Sequence, residues 1–113
     1  MSKYHNKKTI VDGIEFDSKG EGERYIELKL MQRAGLIRDL QLQVKFELIP
    51  AQRGKTRSER PVNYIADFVY IKDGKKIVED FKGYRTDVYK IKRRMMKWLY
   101  GIDIRETTDK DLR

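Results

Sequence analysis

The sequence predicts a single domain of the α/β (α+β) class, in which helices pack on a mixed central sheet. Its periodic segments follow the order helix, three strands, helix, strand, and turn residues separate them. The 113 residues, 39% of them apolar, can fill one apolar core but not two. We therefore expect one domain over residues 1–113, with a flexible basic arm over 1–8 and a short tail over 107–113.

The first third of the chain predicts a hairpin and a helix. An Asp-Gly pair between two short apolar segments favours a tight hairpin within residues 9–16. A helical pattern then runs from Ser18 to Ala34, with Ser18 as its N-cap and Glu21 as the capping-box partner three residues later. Gly35 is placed to end this helix.

Three strands are expected in the middle of the chain. Residues 39–49 alternate between apolar and polar side chains, as a half-buried strand does. An exposed basic loop over 52–60 follows. Residues 62–71 and 75–82 form two further strands around an Asp-Gly turn, which favours a two-residue hairpin.

The last third predicts a helix over residues 86–100 and a short strand over 102–104, separated by Gly101. The apolar side chains of this helix recur with helical spacing, so that they are expected to face the core. They are Val88, Ile91, Met95, Trp98 and Leu99.

Composition restricts the setting and the partners of the protein. The chain has no cysteine, which argues against a disulfide framework and a thiolate metal site. No segment resembles a membrane span or a signal peptide, so we expect a soluble, cytoplasmic protein. The net charge of +8 favours a polyanionic partner, above all nucleic acid. The alternative is that the charge serves solubility only.

Two aspartates and a lysine are expected to meet on one face of the central hairpin. If residues 72 and 75 flank the turn, paired residues have numbers that add up to 147, and Asp67 faces Asp80. Lys82 lies two residues beyond Asp80 and therefore on the same face, whereas Glu79 points to the opposite one. The repulsion between the two carboxylates requires a compensating positive charge.

A divalent cation would supply that charge, because Mg²⁺ is commonly held by one or two carboxylates, waters and substrate phosphates. Carboxylates beside a lysine suit phosphodiester hydrolysis. The only histidine, His5, lies in the arm, which argues against nucleases with a histidine base. Alternatively, both aspartates lie on a solvated face that Lys82 neutralises. Asp67, however, lies in an apolar run where an unpartnered carboxylate is costly.

The segments Ala66-Asp67-Phe68 and Glu79-Asp80-Phe81-Lys82-Gly83 resemble motifs two and three of the PD-(D/E)xK nuclease superfamily, with Ala66 where proline is usual. Over residues 4–106 the chain also resembles a family of small bacteriophage and prophage proteins of that superfamily. This likeness is carried by Ser18-Lys19-Gly20-Glu21, Gly83-Tyr84-Arg85-Thr86 and Lys90-Ile91-Lys92. It implies a restriction-endonuclease-like core and, for a phage-encoded protein, action in the host cytoplasm.

The order of these motifs is also similar to that of phage junction-resolving endonucleases, in which a glutamate of the first helix completes the metal site. The resemblance implies a metal site of Glu21, Asp67 and Asp80, with Lys82 as the further catalytic residue. Glu21 can instead serve only in the capping box. Glu23, in a Glu-Arg pair like that of archaeal resolvases, is a rival for its role. Gln43 is a weaker candidate, since similar glutamines assist in some relatives.

Basic side chains of the last helix and of the 52–60 loop are candidate contacts to a DNA backbone. Lys92 lies at the border of the apolar stripe, where its long stem can carry charge towards the sheet. The full set is Arg53, Lys55, Arg57, Arg85, Lys90, Lys92, Arg93, Arg94 and Lys97. Any one of them can equally belong to a solvated face.

These features lead to the hypothesis of an endonuclease that depends on Mg²⁺ or Mn²⁺ and hydrolyses DNA phosphodiester bonds. Similarity to Holliday junction resolvases implies branched DNA as the substrate, a role in recombination and a homodimer with two active sites. Two alternatives remain open. One is a non-catalytic, basic DNA-binding module on the same fold, and the other is a nuclease that nicks or cuts linear duplex DNA.

Overall fold

A four-stranded mixed sheet forms the centre of the fold, in a computed structural model that describes residues 8–112. Its strand order is β3-β6-β7-β8. The first three are antiparallel neighbours, and β8 runs parallel to β7. The strands are β3 (Arg38–Ile49), β6 (Val62–Lys72), β7 (Lys75–Phe81) and β8 (Arg105–Thr107). The class is therefore α+β with a mixed sheet, as predicted.

Two helices accompany the sheet, and both begin and end where the sequence predicts. In α1 (Lys19–Arg33) the Ser18 hydroxyl accepts the N–H of Glu21 at 3.1 Å. In α2 (Asp87–Tyr100) the N-cap is Thr86, and Gly101 follows in the left-handed conformation that favours glycine. Within residues 8–112, neither helix is both long and apolar enough to cross a membrane.

Small hairpins extend from both ends of this framework. β1 (Thr9–Val11) pairs with β2 (Ile14–Phe16), as the first Asp-Gly pair predicts. β4 (Gln52–Arg53) pairs with β5 (Ser58–Glu59), so the basic loop is itself a short, fully exposed hairpin. The flexible arm predicted for 1–8 lies outside the described residues, except for Lys8.

The predicted register of the β6–β7 hairpin is confirmed. Lys72 pairs with Lys75, and the ladder continues to Phe68 opposite Glu79, so that every pair adds up to 147. Asp73 and Gly74 both have positive φ, of 52° and 76°. Two such residues make a type I′ turn, whose twist matches that of the strands.

The two faces of the sheet carry separate cores, which gives the fold its helix, sheet, helix layers. The core beneath α1 is made of Phe16, Tyr25, Leu28, Ile37, Phe68 and Tyr70. The core beneath α2 is made of Leu48, Tyr64, Ala66, Val69, Val78, Tyr89 and Met96. Neighbouring residues of β6 and β7 therefore serve different cores.

The alternation of faces is reversed at one position of the sheet. The β3–β6 ladder pairs residues on both sides of Gln43 and Asp67 but does not pair these two. Phe68 packs beneath α1 and Ala66 beneath α2, although a regular strand would place both on one face. Gln43 has a φ of 51°, a left-handed conformation that is costly for a residue with a Cβ. Such strain often marks a functional site.

Two predictions about the C-terminal region are wrong. The last strand is β8, three residues later than the predicted 102–104. Ile102 and Ile104 pack on the core beneath α2 without joining the sheet, because apolar alternation reports burial and not strand pairing. The predicted tail also starts too early, since Thr107 is 2% exposed and a capped 3₁₀ helix follows at Asp109–Asp111.

The orientation predicted for α2 is wrong for four of its five apolar residues, whereas Met95 is half-buried and packs on the core as expected. The residues expected in the core are mostly exposed: Val88 (62%), Ile91 (56%), Leu99 (44%) and Trp98 (83%). The helix is instead anchored by Tyr89 and Met96, which are 6% and 0% exposed. These two side chains lie together on another face of the helix, and they fill the space above Val78 and Tyr64.

Candidate functional site

The structure brings Asp67, Asp80 and Lys82 together at the end of the central hairpin. Asp67 and Asp80 lie just beyond the pair of Phe68 and Glu79, at which the β6–β7 ladder ends, and their carboxyl groups interact. Asp67 Oδ2 accepts the backbone N–H of Phe81 at 2.9 Å. Lys82 Nζ lies 3.0 Å from Asp80 Oδ2. One ammonium group therefore stands against two neighbouring carboxyl groups.

Two buried polar atoms at this place lack a hydrogen-bond partner among the described residues. They are Asp80 Oδ2 and the hydroxyl of Tyr64, on side chains that are 1% and 3% exposed. The contact between Lys82 and Asp80 is close enough for an ion pair but does not have hydrogen-bond geometry. A buried group without a hydrogen bond costs about 1 to 3 kcal/mol, and the ion pair with Lys82 offsets part of this cost for Asp80.

Glu21 is buried at the start of α1 and contributes a third carboxyl group to this region. Burial, together with the charges of Asp17 and Asp80, raises its pKa to about 7. Burial, the adjacent carboxyl group of Asp80 and the charge of Glu21 raise the pKa of Asp67 to about 9. The two groups thus favour their neutral forms when no cation is bound.

The three carboxyl groups do not form a tight cage. Among residues 8–112, no three side chains of the types His, Cys, Asp and Glu lie close enough together to hold a metal ion. The expected arrangement of Glu21, Asp67 and Asp80 as joint ligands is therefore absent from the described structure.

Lys82 is held by an aromatic support that sequence analysis did not identify. Its Nζ lies 4.3 Å from the centre of the Tyr89 ring, and the Tyr89 hydroxyl donates to Glu106 Oε2 at 2.7 Å. Although burial opposes it, hydrogen bonds from Tyr89, Arg93 and Arg85 lower the pKa of Glu106 to about 2. The ammonium group is thus confined between Asp80 and an aromatic face.

The two weaker candidates have different positions. Gln43, at the strained position of β3, reaches Asp67 through its Nε2, 3.4 Å from Oδ1. It therefore belongs to the surroundings of the site. Glu23 points away into a half-exposed position and approaches Lys19 at 3.9 Å on the surface of α1. The structure does not bring Glu23 to the two aspartates.

A buried ion pair lies directly behind the site and was not predicted. Arg24 donates to both carboxylate oxygens of Glu79, with distances of 2.6 Å from Nε and 2.9 Å from Nη2. The hydroxyl groups of Tyr70 and Thr107 donate to the same carboxylate, which is fully buried. The pair joins α1 to β7 and β8. The sequence contained one signal of this ion pair, because Glu79 is an acidic residue within the apolar end of β7 and therefore needs a partner. The same signal identified Asp67 in β6.

The candidate DNA contacts are dispersed over three surfaces. Arg85 and Arg93 are engaged with Glu106 at 2.7 and 2.8 Å, and Lys97 with Asp103 at 2.8 Å. The remaining members of α2 are exposed or half-buried, namely Lys90, Lys92 and Arg94. Those of the β4–β5 hairpin are fully exposed, namely Arg53, Lys55 and Arg57.

Gly20 allows the first turn of α1 to approach the site. A Cβ at this position would lie 2.6 Å from Phe81 Cζ and would also meet Asp109. We expect Gly20→Ala to destabilise the fold by about 1 to 3 kcal/mol through overpacking, although alanine is the better helix former. Urea denaturation measures this. Gly83→Ala is the matched control, since a Cβ there meets nothing within 4 Å. A stabilised Gly20→Ala variant would contradict the close approach.

The raised pKa of Asp67 predicts a pH dependence of stability. In the unfolded chain this group ionises near pH 3.8, whereas in the folded, cation-free protein it keeps its proton to about pH 9. As pH rises, the unfolded state therefore loses the proton first. The stability that the protonated Asp67 contributes to the folded protein is lost as pH rises between these two values. Asp67→Asn removes the ionisation, so we expect it to stabilise the cation-free protein by about 2 to 4 kcal/mol near pH 8.

This difference is measured by urea denaturation in EDTA at several pH values between about 4 and 9. The gain from Asp67→Asn should grow with pH and be small at the acidic end. Asp73→Asn, at the exposed tip of the same hairpin, is the control and should show no such trend. Parallel stability curves for wild type and Asp67→Asn would contradict the raised pKa.

Comparison with known proteins places the chain in one family. No curated protein matches it significantly. A family described as "Protein of unknown function (DUF1064)" matches residues 1–109, which is nearly the whole chain. The protein is thus a member of the DUF1064 family.

Proposed function

We propose that this protein is a metal-dependent endonuclease that hydrolyses DNA phosphodiester bonds. The observation that carries the proposal is the meeting of Asp67, Asp80 and Lys82, with a buried Asp80 oxygen that no hydrogen bond satisfies. Groups kept at such a cost are characteristic of functional sites. The net charge of +8 provides the attraction for a polyanionic substrate.

The donor set is compatible with Mg²⁺ or Mn²⁺, although the described residues form no complete cage. Two carboxylates suffice for Mg²⁺ when waters and a substrate phosphate complete its coordination. The unsatisfied oxygen of Asp80 and the adjacent Asp67 are the groups that would hold it, with Glu21 as a further acid whose charge interacts with both. A bound cation would supply Lewis acidity at the phosphoryl oxygen and lower the pKa of a water.

The side chains of the chain itself have separate tasks in this proposal. Lys82, fixed between Asp80 and the Tyr89 ring, positions its ammonium group to stabilise negative charge on the phosphoryl group in the transition state. Asp67 accepts the N–H of Phe81, which orients its carboxyl group towards Asp80. Gln43 supports Asp67 from the neighbouring strand. In this proposal, the central sheet and its site correspond to the conserved core of PD-(D/E)xK nucleases.

The exposed basic residues would hold the DNA backbone, and they favour a second candidate function. The β4–β5 hairpin exposes Arg53, Lys55 and Arg57, and α2 exposes Lys90 and Arg94, so electrostatic binding needs no catalysis. A non-catalytic DNA-binding module is therefore the alternative. It predicts binding that is indifferent to divalent cations.

The test is cleavage of labelled four-way junction, nicked and linear duplex DNA in Mg²⁺, Mn²⁺ or EDTA. We expect cutting that requires the cation, and the ranking of the three substrates identifies the preferred DNA structure. Binding is measured on the same DNAs in EDTA. Tight binding without cutting in every condition would overturn the nuclease proposal in favour of the binding module.

A further inference from the structure

The helix α2 has three distinct faces, and one of them supplies its fully buried side chains. Tyr89 and Met96 are buried against the sheet. A second face is basic, and its members are Lys90, Arg94 and Lys97. A third face is apolar, and its members are Val88, Ile91, Met95, Trp98 and Leu99; all are exposed to solvent except Met95, which is half-buried and also packs on the core beneath α2. We call this third face the α2 seam.

The spacing of the α2 seam is that of a coiled coil. Val88, Ile91, Met95 and Trp98 are separated by three, four and three residues, which are the a and d positions of a heptad. Leu99 adds the e position that follows Trp98, so the apolar face is somewhat wider than a strict coiled-coil seam. The heptad spacing of Val88, Ile91 and Trp98, which are exposed, fits a second helix.

A preformed hole lies in the middle of the seam. It is a cavity of about 400 Å³ lined by Ile91, Arg94, Met95 and Trp98. These residues occupy positions i, i+3, i+4 and i+7, the four that surround one knob of a facing helix in coiled-coil packing. This hole fits an apolar side chain from a helix whose apolar residues have the same heptad spacing.

We propose that the α2 seam is the interface of a homodimer, in which the α2 helices of two copies pack antiparallel. A second copy supplies a helix with the required spacing, and a twofold contact uses the same surface on both partners. When Ile91 enters the hole of the other copy, it lies opposite Met95, and Val88 lies opposite Trp98. Each layer then combines a smaller with a larger side chain, as even packing requires. A parallel pair would instead place Trp98 against Trp98.

The exposed area is sufficient for a dimer at the small end of the range. Trp98 is 83% exposed and leaves on the order of 150 to 200 Å² in solvent, given the size of aromatic side chains. Together with Val88, Ile91 and Leu99, the exposed apolar area of the patch reaches roughly the few hundred Å² that mark an interaction site. Two such patches and a polar rim approach the roughly 1,000 Å² of a specific interface.

The position of the basic face also favours a protein partner for the seam. Lys90 and Lys97 lie on another side of α2, and Arg94 stands at the border between that side and the hole, so a nucleic acid drawn to the basic face leaves most of the seam uncovered. A twofold axis perpendicular to an antiparallel helix pair keeps the basic faces of both copies on one side. The inference does not rest on the proposed nuclease activity, because it follows from packing alone.

The first test is sedimentation velocity of the full chain from nanomolar to high micromolar concentration, with Trp98 fluorescence in parallel. Trp98 is the only tryptophan, so its emission should shift to shorter wavelength as the dimer forms. Ile91→Glu should raise the dissociation constant by roughly 30-fold or more, as removal of a central interface residue does. Leu30→Glu is the matched control, because Leu30 is also 56% exposed on a helix and should leave dimerisation unchanged.

The orientation is tested by disulfide trapping, since the natural chain has no cysteine. A mixture of Val88→Cys and Trp98→Cys chains should give a crosslinked heterodimer under mild oxidation, while Val88→Cys alone should not crosslink. Self-crosslinking of Val88→Cys would overturn the antiparallel arrangement. Wild type that stays monomeric at the highest concentration, or dimers equally unaffected by Ile91→Glu and Leu30→Glu, would overturn the interface.

Discussion

Asp80→Asn is expected to reduce DNA cleavage by about a thousandfold or more while the protein stays folded. Asp80 is 1% exposed, and its Oδ2 lies 3.0 Å from Lys82 Nζ. Asparagine fills the same volume but lacks the charge and one of the two oxygens. Both the cation and the lysine would thus lose their shared partner. The rate is measured in single-turnover cleavage of the preferred DNA substrate, with Mg²⁺ at saturation.

A matched substitution separates this effect from a general loss of carboxylate charge. Asp73→Asn makes the same chemical change at the exposed tip of the same hairpin and should cleave at the wild-type rate. DNA affinity of Asp80→Asn in EDTA should equal or exceed that of wild type, since a negative charge has been removed. Undiminished cleavage by Asp80→Asn would exclude this aspartate from the chemistry.

Glu79→Leu is expected to destabilise the fold by about 3 to 5 kcal/mol, because buried Arg24 would lose its fully buried counter-ion and keep only the partly exposed Glu27, at 3.0 Å. The lost contacts include both hydrogen bonds from the guanidinium group and those from Tyr70 and Thr107. The pair reaches from α1 to β7 and β8, so its loss loosens the packing of the helix on the sheet. Urea denaturation near neutral pH measures the change in the free energy of unfolding.

A double variant tests whether the unpaired charge is the cause. Arg24→Met with Glu79→Leu removes both charges and keeps apolar volume, so much of the lost stability should return. Arg24→Met alone should be nearly as damaging as Glu79→Leu, since it leaves a buried carboxylate. Losses that simply add in the double variant would show that the two residues act independently.

Local sequence patterns were sufficient to predict most of the fold. Ser18 and Thr86 cap the two helices, and the turn at Asp73 and Gly74 sets the register of the hairpin. These features depend on residues near each other in the chain. The position of β8 could not be predicted in this way, because it depends on which distant segment pairs with the edge of β7.

The orientation of α2 shows a second limit of sequence patterns. Its apolar stripe is evident from the spacing, but spacing does not reveal whether the stripe is covered by the same chain. Tyr89 and Met96 anchor the helix because their large side chains reach the sheet, and Tyr89 also finds a polar partner in Glu106. An aromatic residue with a buried hydroxyl group is difficult to recognise from periodicity.

At the candidate site, the hairpin rule predicted the meeting of Asp67 and Asp80, and the period of a strand predicted the approach of Lys82. Three features depend on tertiary packing and were beyond reach: the buried hydroxyl of Tyr64, the ring of Tyr89 against Lys82, and the strained Gln43 beside Asp67. Each joins residues from strands or helices that are distant in sequence.

Glu79 and Asp80 are adjacent in β7, yet they face opposite sides of the sheet and have unrelated partners. The first residue is tied to the stability of the fold and the second to the chemistry proposed for it. Selection can therefore act on the two properties separately. Under the proposed function, a single change at Asp80 would yield a folded, DNA-binding descendant without cleavage, so that one mutational step would convert a nuclease into a binding protein.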